Sequence, residues 1–223
     1  VAVGDFNADG RTDIAITSPS CGDGALGGCL DIFYNDGSYG SADVTVFGET
    51  SQSWGDALAA GDFDRDGDTD IAVSDFGVSS NTGKAYILYN DGSYPNAGSA
   101  DVTITGNATS DFFGASLASG DLNTDGRTDL VVGAYGYSSS TGRAYIFYND
   151  GSIPTTAATA DVTITGNASS DQFSRSLATG DFNFNGTIDL AVGASVADAN
   201  TTSTGSAYIF YNDGSIPTTA GTA

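Results

Sequence analysis

Histidine and methionine are both missing from this 223-residue sequence, and only six of its residues are Lys or Arg. Without histidine, the protein can have neither a histidine general base nor a zinc site built on imidazole ligands. The formal net charge of −22 argues against partners such as nucleic acid or anionic membranes, because both need a positive protein surface. A charge of this sign is typical of a soluble protein that binds cations.

The sequence also lacks an apolar run of membrane-spanning length and an N-terminal signal peptide. We therefore expect no membrane insertion. Because the first residue is Val1 rather than Met, we expect the chain to be a processed product or a piece of a longer one.

Cysteine occurs twice, at Cys21 and Cys29, on either side of a glycine-rich stretch. Two cysteines are too few for a four-thiolate metal site. Their short separation predicts a local disulfide and hence an oxidising compartment, with two free loop thiols as the alternative.

One unit is present four times in this sequence. Its most similar part reads "GDFNADGRTDIAI", "GDFDRDGDTDIAV", "GDLNTDGRTDLVV" and "GDFNFNGTIDLAV", and it recurs at intervals of about 60 residues. A period of this length indicates one supersecondary unit per repeat. We therefore predict a single repeat domain over 1–223, with approximate repeats at 1–47, 48–105, 106–165 and 166–223.

Each unit is predicted to form four short antiparallel strands, here called A to D. Strand A precedes the acidic loop, strand B is an apolar run such as "IAVS", strand C contains "AYIFY", and strand D alternates Val, Thr and Ile. The Asp-Gly of "NDGS" after strand C is a strong hairpin signal, and no segment has a sustained helical period. The pattern predicts an all-β fold of β-propeller blades, and a solenoid is the less favoured alternative because its coils are much shorter.

The acidic loop between strands A and B places oxygen-bearing side chains at its positions 1, 3, 5 and 9. Glycine at position 6 permits a sharp turn, and the residue at position 7 can offer its carbonyl oxygen. An EF-hand loop spaces its oxygen ligands in a similar way, so we predict that the four loops bind up to four Ca²⁺ ions rather than Zn²⁺. The alternative is that each loop is only an acidic hairpin turn. The predicted ligand positions are Asp5, Asn7, Asp9, Arg11 and Asp13; Asp62, Asp64, Asp66, Asp68 and Asp70; Asp121, Asn123, Asp125, Arg127 and Asp129; and Asp181, Asn183, Asn185, Thr187 and Asp189.

The four loops differ in charge. The second has four carboxylates among its ligand side chains, the first and third have three, and the fourth has two. Because fewer charges offset ion dehydration less well, we expect the second site to be the tightest and the fourth the weakest.

These motifs resemble the FG-GAP repeat of integrin alpha-subunit β-propellers and of many bacterial and archaeal extracellular proteins. The resemblance covers essentially the whole chain, with "FG" at 113–114 and "GA" at 133–134 and 193–194, although 173–174 reads "FS". It implies a propeller of four FG-GAP blades, Ca²⁺ in each loop between strands A and B, and no shared catalytic residues. Full integrin propellers have seven blades, whereas four loops are visible in this sequence.

The chain begins partway along a strand A and ends before a fourth strand D. Three arrangements fit: a window from a longer propeller, a four-bladed ring with imperfect closure, or an incomplete ring completed between molecules. In the last case other chains, or copies of this one, would be partners by strand complementation.

The loops opposite the acidic loops vary in sequence, which is typical of a binding face on a rigid scaffold. Aromatic residues there could hold a glycan partner, with plain solvated loops as the alternative. The candidate ligand residues are Phe76, Tyr135 and Tyr137. Candidate glycosylation sites are Asn107, Asn167 and Asn200.

These observations predict a calcium-stabilised module, extracellular or on the cell surface, with a structural or adhesive role. It could be a subunit of a surface or filamentous assembly. A lectin-like propeller that binds carbohydrate through its variable loops is the alternative. We do not expect an enzyme, because the repeated carboxylates already have an ion to bind and no unique acid pair stands out.

Overall fold

The computed structural model describes residues 1–21, 27–37, 39–48, 54–196 and 205–222, and their regular structure is almost entirely β. Each sheet is antiparallel and joins strands in chain order. The first contains β1 (Ala2–Gly4), β2 (Asp13–Ser20), β3 (Gly27–Phe33) and β4 (Val44–Phe47). The second contains β5 (Trp54–Gly61), β6 (Asp70–Asp75), β7 (Lys84–Leu88) and β8 (Val102–Thr105).

The third sheet repeats this arrangement, and the fourth repeats its first three strands within the described residues. The third contains β9 (Phe113–Gly120), β10 (Asp129–Ala134), β11 (Arg143–Phe147) and β12 (Val162–Thr165). The fourth contains β13 (Phe173–Gly180), β14 (Asp189–Ala194) and β15 (Ser206–Phe210). Sheets that meander from strand A outwards and repeat along the chain are β-propeller blades, so the predicted fold class is confirmed. We call them blades 1 to 4.

The hydrophobic core lies between blades rather than inside any one of them. Three clusters fill the spaces between blades 1 and 2, 2 and 3, and 3 and 4. The largest fully buried side chains include Trp54 between blades 1 and 2, Phe113 between blades 2 and 3, and Phe173 between blades 3 and 4. Each blade therefore depends on its neighbour to cover its apolar face.

The strand after each acidic loop shows this dependence. Every residue of β6 and β10 is buried, since a neighbouring blade covers each face. In β14 the pattern is broken by partly exposed residues, because only blade 3 packs against it within the described residues. A short apolar run without alternation is the expected sequence of a strand that is covered on both faces.

The "FG" positions form a bulge at the start of strand A. The register of β5 shifts between Trp54 and Leu58, and Gly55 has φ +93°. In blade 4 the equivalent residue is Ser174, which takes the same left-handed backbone at φ 67°. Its hydroxyl donates to the carbonyl oxygen of Arg143 at 2.8 Å and accepts from the backbone N–H of Ala134 at 3.1 Å, which compensates for the strained backbone.

The expectation of no helix needs one correction. Two single turns, α1 (Val78–Asn81) and α2 (Tyr137–Ser140), connect strands B and C, and three 3₁₀ turns precede strand D or its expected position. Inside α1 the backbone is left-handed, with Ser79 at φ 54° and Ser80 at φ 59°. One turn is too short to show a helical period in the sequence. In the described part of the chain no helix has the length and apolar character to cross a membrane.

The described residues do not close into a ring, because blades 1 and 4 do not pair with each other. Each of these blades keeps an apolar face in contact with solvent. The exposed large apolar residues on them are Val1, Val3, Ile16, Tyr39, Phe47, Phe182, Phe184, Ile209 and Tyr211.

Candidate metal centre

The first residue of each acidic loop folds the loop around its own carboxylate. In the first loop, Asp5 accepts hydrogen bonds from the backbone N–H groups of Asp9, at 3.0 Å, and Gly10, at 2.8 Å. The third and fourth loops make the same pair of bonds through Asp121 and Asp181. The loop is therefore closed by local contacts that each repeat can make on its own.

The side chains at positions 3 and 5 turn to the same interior. In the second loop, Asp64 accepts from the backbone N–H of Asp66 at 3.0 Å, and Asp66 accepts from that of Asp68 at 2.8 Å. Carboxylate oxygens of Asp62, Asp64 and Asp66 lie within 4.8 Å of one another. Three like charges at this separation repel one another, and a cation among them would remove that repulsion.

Desolvation and neighbouring charges shift the acidity of one of these three carboxylates, Asp64. The pKa of Asp64 is raised, mainly by desolvation and further by the charges of Asp66, Asp62 and Asp91, although a backbone hydrogen bond opposes the shift. A raised carboxyl pKa marks a site where negative charge is unfavourable until a cation arrives.

The aspartate at position 9 is placed differently from the other predicted ligands. Asp70 is fully buried and is not among the three converging carboxylates. One of its oxygens accepts from the backbone N–H of Phe63 at 2.7 Å, and the other from that of Asn90 at 2.8 Å. It thus links the loop to the turn after strand C, and the same pair of bonds occurs in all four blades.

Desolvation raises the pKa of Asp70, and likewise that of Asp129, to about 6, with backbone hydrogen bonds opposing the shift. The aspartate at position 9 therefore links the acidic loop to the turn after strand C. Its coordination of an ion stays a prediction.

The residue at position 7 contacts the turn between strands C and D of its own blade. The guanidinium of Arg11 donates to the carbonyl oxygen of Asn35 at 3.0 Å, and that of Arg127 donates to Asn149 at 3.2 Å. In blade 4 the hydroxyl of Thr187 replaces them and donates to Asn212 at 2.7 Å. The acidic loops and the "NDGS" turns therefore share one face of the molecule.

The asparagine of "NDGS" has a function that sequence reasoning missed. The side-chain amide of Asn90 donates to the carbonyl oxygen of Phe6 in blade 1 at 3.0 Å, and that of Asn212 donates to Leu122 in blade 3 at 2.8 Å. Asn149 makes the equivalent bond to blade 2. Asparagine is present in all four turns, and this could have pointed to a contact between blades. Because asparagine is also common in turns, its presence alone did not distinguish the two explanations.

On the opposite face the structure brings the predicted aromatic residues into one cluster. Phe112 stacks on Tyr135 with ring centroids 4.8 Å apart, and Phe76 meets Phe112 edge to face at 5.8 Å. The guanidinium of Arg175 lies 4.2 Å from the ring of Tyr135. These contacts hold blades 2, 3 and 4 together.

The third predicted aromatic residue lies under a second arginine. The guanidinium of Arg143 is 3.8 Å from the ring of Tyr137. Phe112, Arg143 and Arg175 were not anticipated from the sequence, because nothing in the repeat pattern distinguishes them. Cation–π contacts of this kind leave less free ring surface for a sugar, so the carbohydrate-binding alternative stays a prediction.

Cys21 and Cys29 form a disulfide. Asn107 and Asn167 are exposed in the loops between strands D and A, where a glycan could be attached. Asn200 lies outside the described residues.

Comparison with known proteins identifies the repeat. The sequence profile of the FG-GAP repeat matches residues 113–147 and 173–210, and that of the FG-GAP-like repeat matches residues 2–73. The chain belongs to the FG-GAP repeat family. The matches include all four acidic loops and reach into every blade.

Curated relatives share these FG-GAP repeats within much longer proteins. Phosphatidylinositol-glycan-specific phospholipase D of Rattus norvegicus is 45% identical over 105 residues, which cover 43% of this chain and 12% of that protein. The Homo sapiens protein of the same name is 41% identical over 108 residues, covering 44% and 13%. Integrin alpha-PS2 of Drosophila melanogaster is 32% identical over 149 residues, covering 63% and 10%.

Proposed function

We propose that this FG-GAP chain is a calcium-stabilised extracellular module with a structural or adhesive role and no catalytic activity. The observation that carries the proposal is the convergence of Asp62, Asp64 and Asp66, whose carboxylate oxygens lie within 4.8 Å of one another. The disulfide and the relationship to an integrin alpha chain support an extracellular location.

The donor set favours Ca²⁺. Carboxylate, amide and backbone carbonyl oxygens are hard ligands, and several of them around one point suit a large cation of variable coordination. In the second loop, the side chains of Asp62, Asp64 and Asp66 and the backbone carbonyl of Asp68 would hold the ion, with Asp70 beside them. The bound ion supplies positive charge that neutralises the loop and ties strand A to strand B.

The stability of the fold should therefore depend on calcium. For sites with a Kd of about 10⁻⁴ to 10⁻³ M, 10 mM calcium stabilises the folded chain by about 1.4–2.7 kcal/mol per occupied site. The melting temperature should fall by several degrees when EDTA replaces calcium, and magnesium at equal concentration should restore little of it. A melting temperature that is the same in both buffers contradicts the proposal.

An assembly role is supported by the edge of β15. In blades 1 to 3 strand C pairs with a strand D, whereas β15 pairs only with β14 within the described residues. A strand from another chain, or from another copy, would complete this sheet.

The assembly role has its own test. Sedimentation velocity should show oligomers that grow with protein concentration. A synthetic peptide of the strand D sequence "ADVTITG" should dissociate them by pairing with β15, and a scrambled peptide should not. A monomer at every concentration contradicts the assembly role and leaves the calcium proposal standing.

A further inference from the structure

A cleft recurs at the boundary between neighbouring blades on the face of the acidic loops. Between blades 2 and 3 it has a volume of about 440 Å³, and between blades 1 and 2 about 220 Å³. The lining residues correspond one to one in the repeat, so Phe63 and Tyr89 in the larger cleft occupy the positions of Phe6 and Tyr34 in the smaller. The two clefts are therefore copies of one feature whose chemistry can be compared directly.

The larger cleft is distinguished by two arginines. Arg65 and Arg127 line it where Ala8 and Asp68 line the smaller one. The whole chain has six basic residues against 28 acidic ones, so two guanidinium groups in one cleft are a strong local departure from its charge.

The structure holds one of the two guanidinium groups in position. Arg127 donates one hydrogen bond to the carbonyl oxygen of Asn149 at 3.2 Å. It lies close to the turn, since a Cβ on Gly151 would be 2.9 Å from its Nη1 atom, and Gly151 itself has φ +104°, which favours glycine. A guanidinium has five N–H donors, and this contact uses one of them.

The other guanidinium has no such contact. Within the described residues, the side chain of Arg65 makes no hydrogen bond and no ion pair, even though acidic residues surround it in the second loop. Its backbone is left-handed at φ 71°, as is that of Thr124 at φ 61° in the third loop, so the fold accepts different side chains at this position. The positive charge at Arg65 is thus not needed to build the loop.

The cleft also offers an uncharged side. Tyr89 is half-buried, and its hydroxyl can donate a hydrogen bond. A volume of about 440 Å³ exceeds what one carboxylate side chain would fill and lies in the range of small-ligand pockets. An aromatic ring with a hydroxyl beside two guanidinium groups suits a sugar that carries an acid group.

We propose that the cleft between blades 2 and 3 binds an acidic sugar of the hexuronic acid class. The guanidinium groups of Arg65 and Arg127 hold its carboxylate, and its ring lies against Tyr89. Asp64 also lines this cleft, and the carboxylates of Asp70, Asp91 and Asp101 act on Tyr89 as well. These charges oppose the ligand, and a cation bound in the acidic loop would offset that of Asp64. To that extent the inference rests on the calcium occupancy proposed above. The smaller cleft, with Asp68 in place of Arg127, should not bind this ligand.

The test is a chemical-shift titration of the full chain by NMR in calcium buffer, with methyl glucuronide as the probe. We expect one site with a Kd on the order of 1 mM. The variants Arg65→Thr and Arg127→Thr carry the residues found at these positions in the third and fourth loops, and each should weaken binding at least about ten-fold. Arg11→Thr removes the equivalent of the Arg127 contact outside the cleft and should change the Kd less than about two-fold.

Three results would overturn the inference. The first is that the wild type shows no saturable binding, and the second is that Arg65→Thr binds as tightly as the wild type. The third is that N-acetylglutamate amide binds as tightly as methyl glucuronide, which would indicate an acidic peptide as the ligand. Methyl glucoside, which lacks the carboxylate, should not bind. A melting temperature that does not change with calcium would contradict the proposed function and the calcium premise of this inference. The arginine dependence, which is read from variants in one buffer, tests the cleft separately.

Discussion

Blades 2 and 4 carry the same acidic loop but differ in what surrounds it. In both, position 1 closes the loop and the buried position-9 aspartate staples it to the turn after strand C. Yet Phe63 in the second loop is 2% exposed, whereas the equivalent Phe182 in the fourth is 40% exposed. Loop geometry is thus a local property of the repeat, whereas burial depends on the next blade.

Removing the two phenylalanines should have the largest effect on stability. Phe63→Ala leaves a cavity between blades 2 and 3 and should cost about 3–5 kcal/mol of unfolding free energy. Phe182→Ala removes a side chain that no following blade covers within the described residues. It should reduce the free energy of unfolding by less than half as much. Urea unfolding of both variants measures the difference, and equal losses would contradict the view that the neighbouring blade provides the burial.

The asparagines of the "NDGS" turns give a second comparison. Asn149→Ala leaves the carbonyl oxygen of Phe63 unpaired at a buried boundary and should cost about 1–3 kcal/mol. Asn35→Ala changes the equivalent residue of blade 1, which has no preceding blade among the described residues, and should cost at most about 0.5 kcal/mol. Thermal unfolding of the two variants separates the bond between blades from any effect on the turn itself.

Calcium affinity sharpens the comparison at the loops. Asp64→Asn in the second loop should weaken its site on the order of ten-fold, and Asn183→Asp at the same position of the fourth loop should strengthen that site by a similar factor. Isothermal titration calorimetry with calcium measures both. If Asn183→Asp leaves every affinity unchanged, the number of carboxylates does not rank the sites.

The smallest effect is the dependence of stability on pH. It concerns one position of strand A, which is Asp56 in blade 2 and Arg175 in blade 4. Asp56 keeps an exposed side chain, but partial desolvation by the residues around it, with the charge of Asp75, raises its pKa from 3.8 to about 6, and Arg175 opposes the shift. Between these values the folded chain holds a proton that the unfolded chain has lost. The contribution of Asp56 to stability is therefore present below about pH 4 and is lost as the pH rises through 6.

Asp56→Asn should reduce this decline when urea midpoints are compared between pH 4 and pH 6.5. The effect should be modest, since Asp56 is exposed and solvent screens its charge. Arg175→Gln should steepen the decline, because it removes the charge that opposes the shift. The same pH dependence in all three proteins would contradict the coupling.

The repeat, its strands and the acidic loop could all be predicted from the residues alone. Turn glycines, short apolar strands and alternating oxygen donors act over a few residues, so their pattern can be read from "GDFDRDGDTD" without knowing what lies beside it. The site predicted for Asp62, Asp64 and Asp66 depends on such local geometry, and the structure brings these three side chains together.

The contacts between blades could not be predicted in this way and depend on how the blades pack. The tertiary structure joined Asn90 to Phe6, placed Arg175 on Tyr135, and brought Arg65 and Arg127 into one cleft. These residues are far apart in the chain, and their encounter depends on how one blade packs against the next. The repeat pattern predicts the contacts within each blade. Residues that differ from one blade to the next have their effect where two blades contact each other.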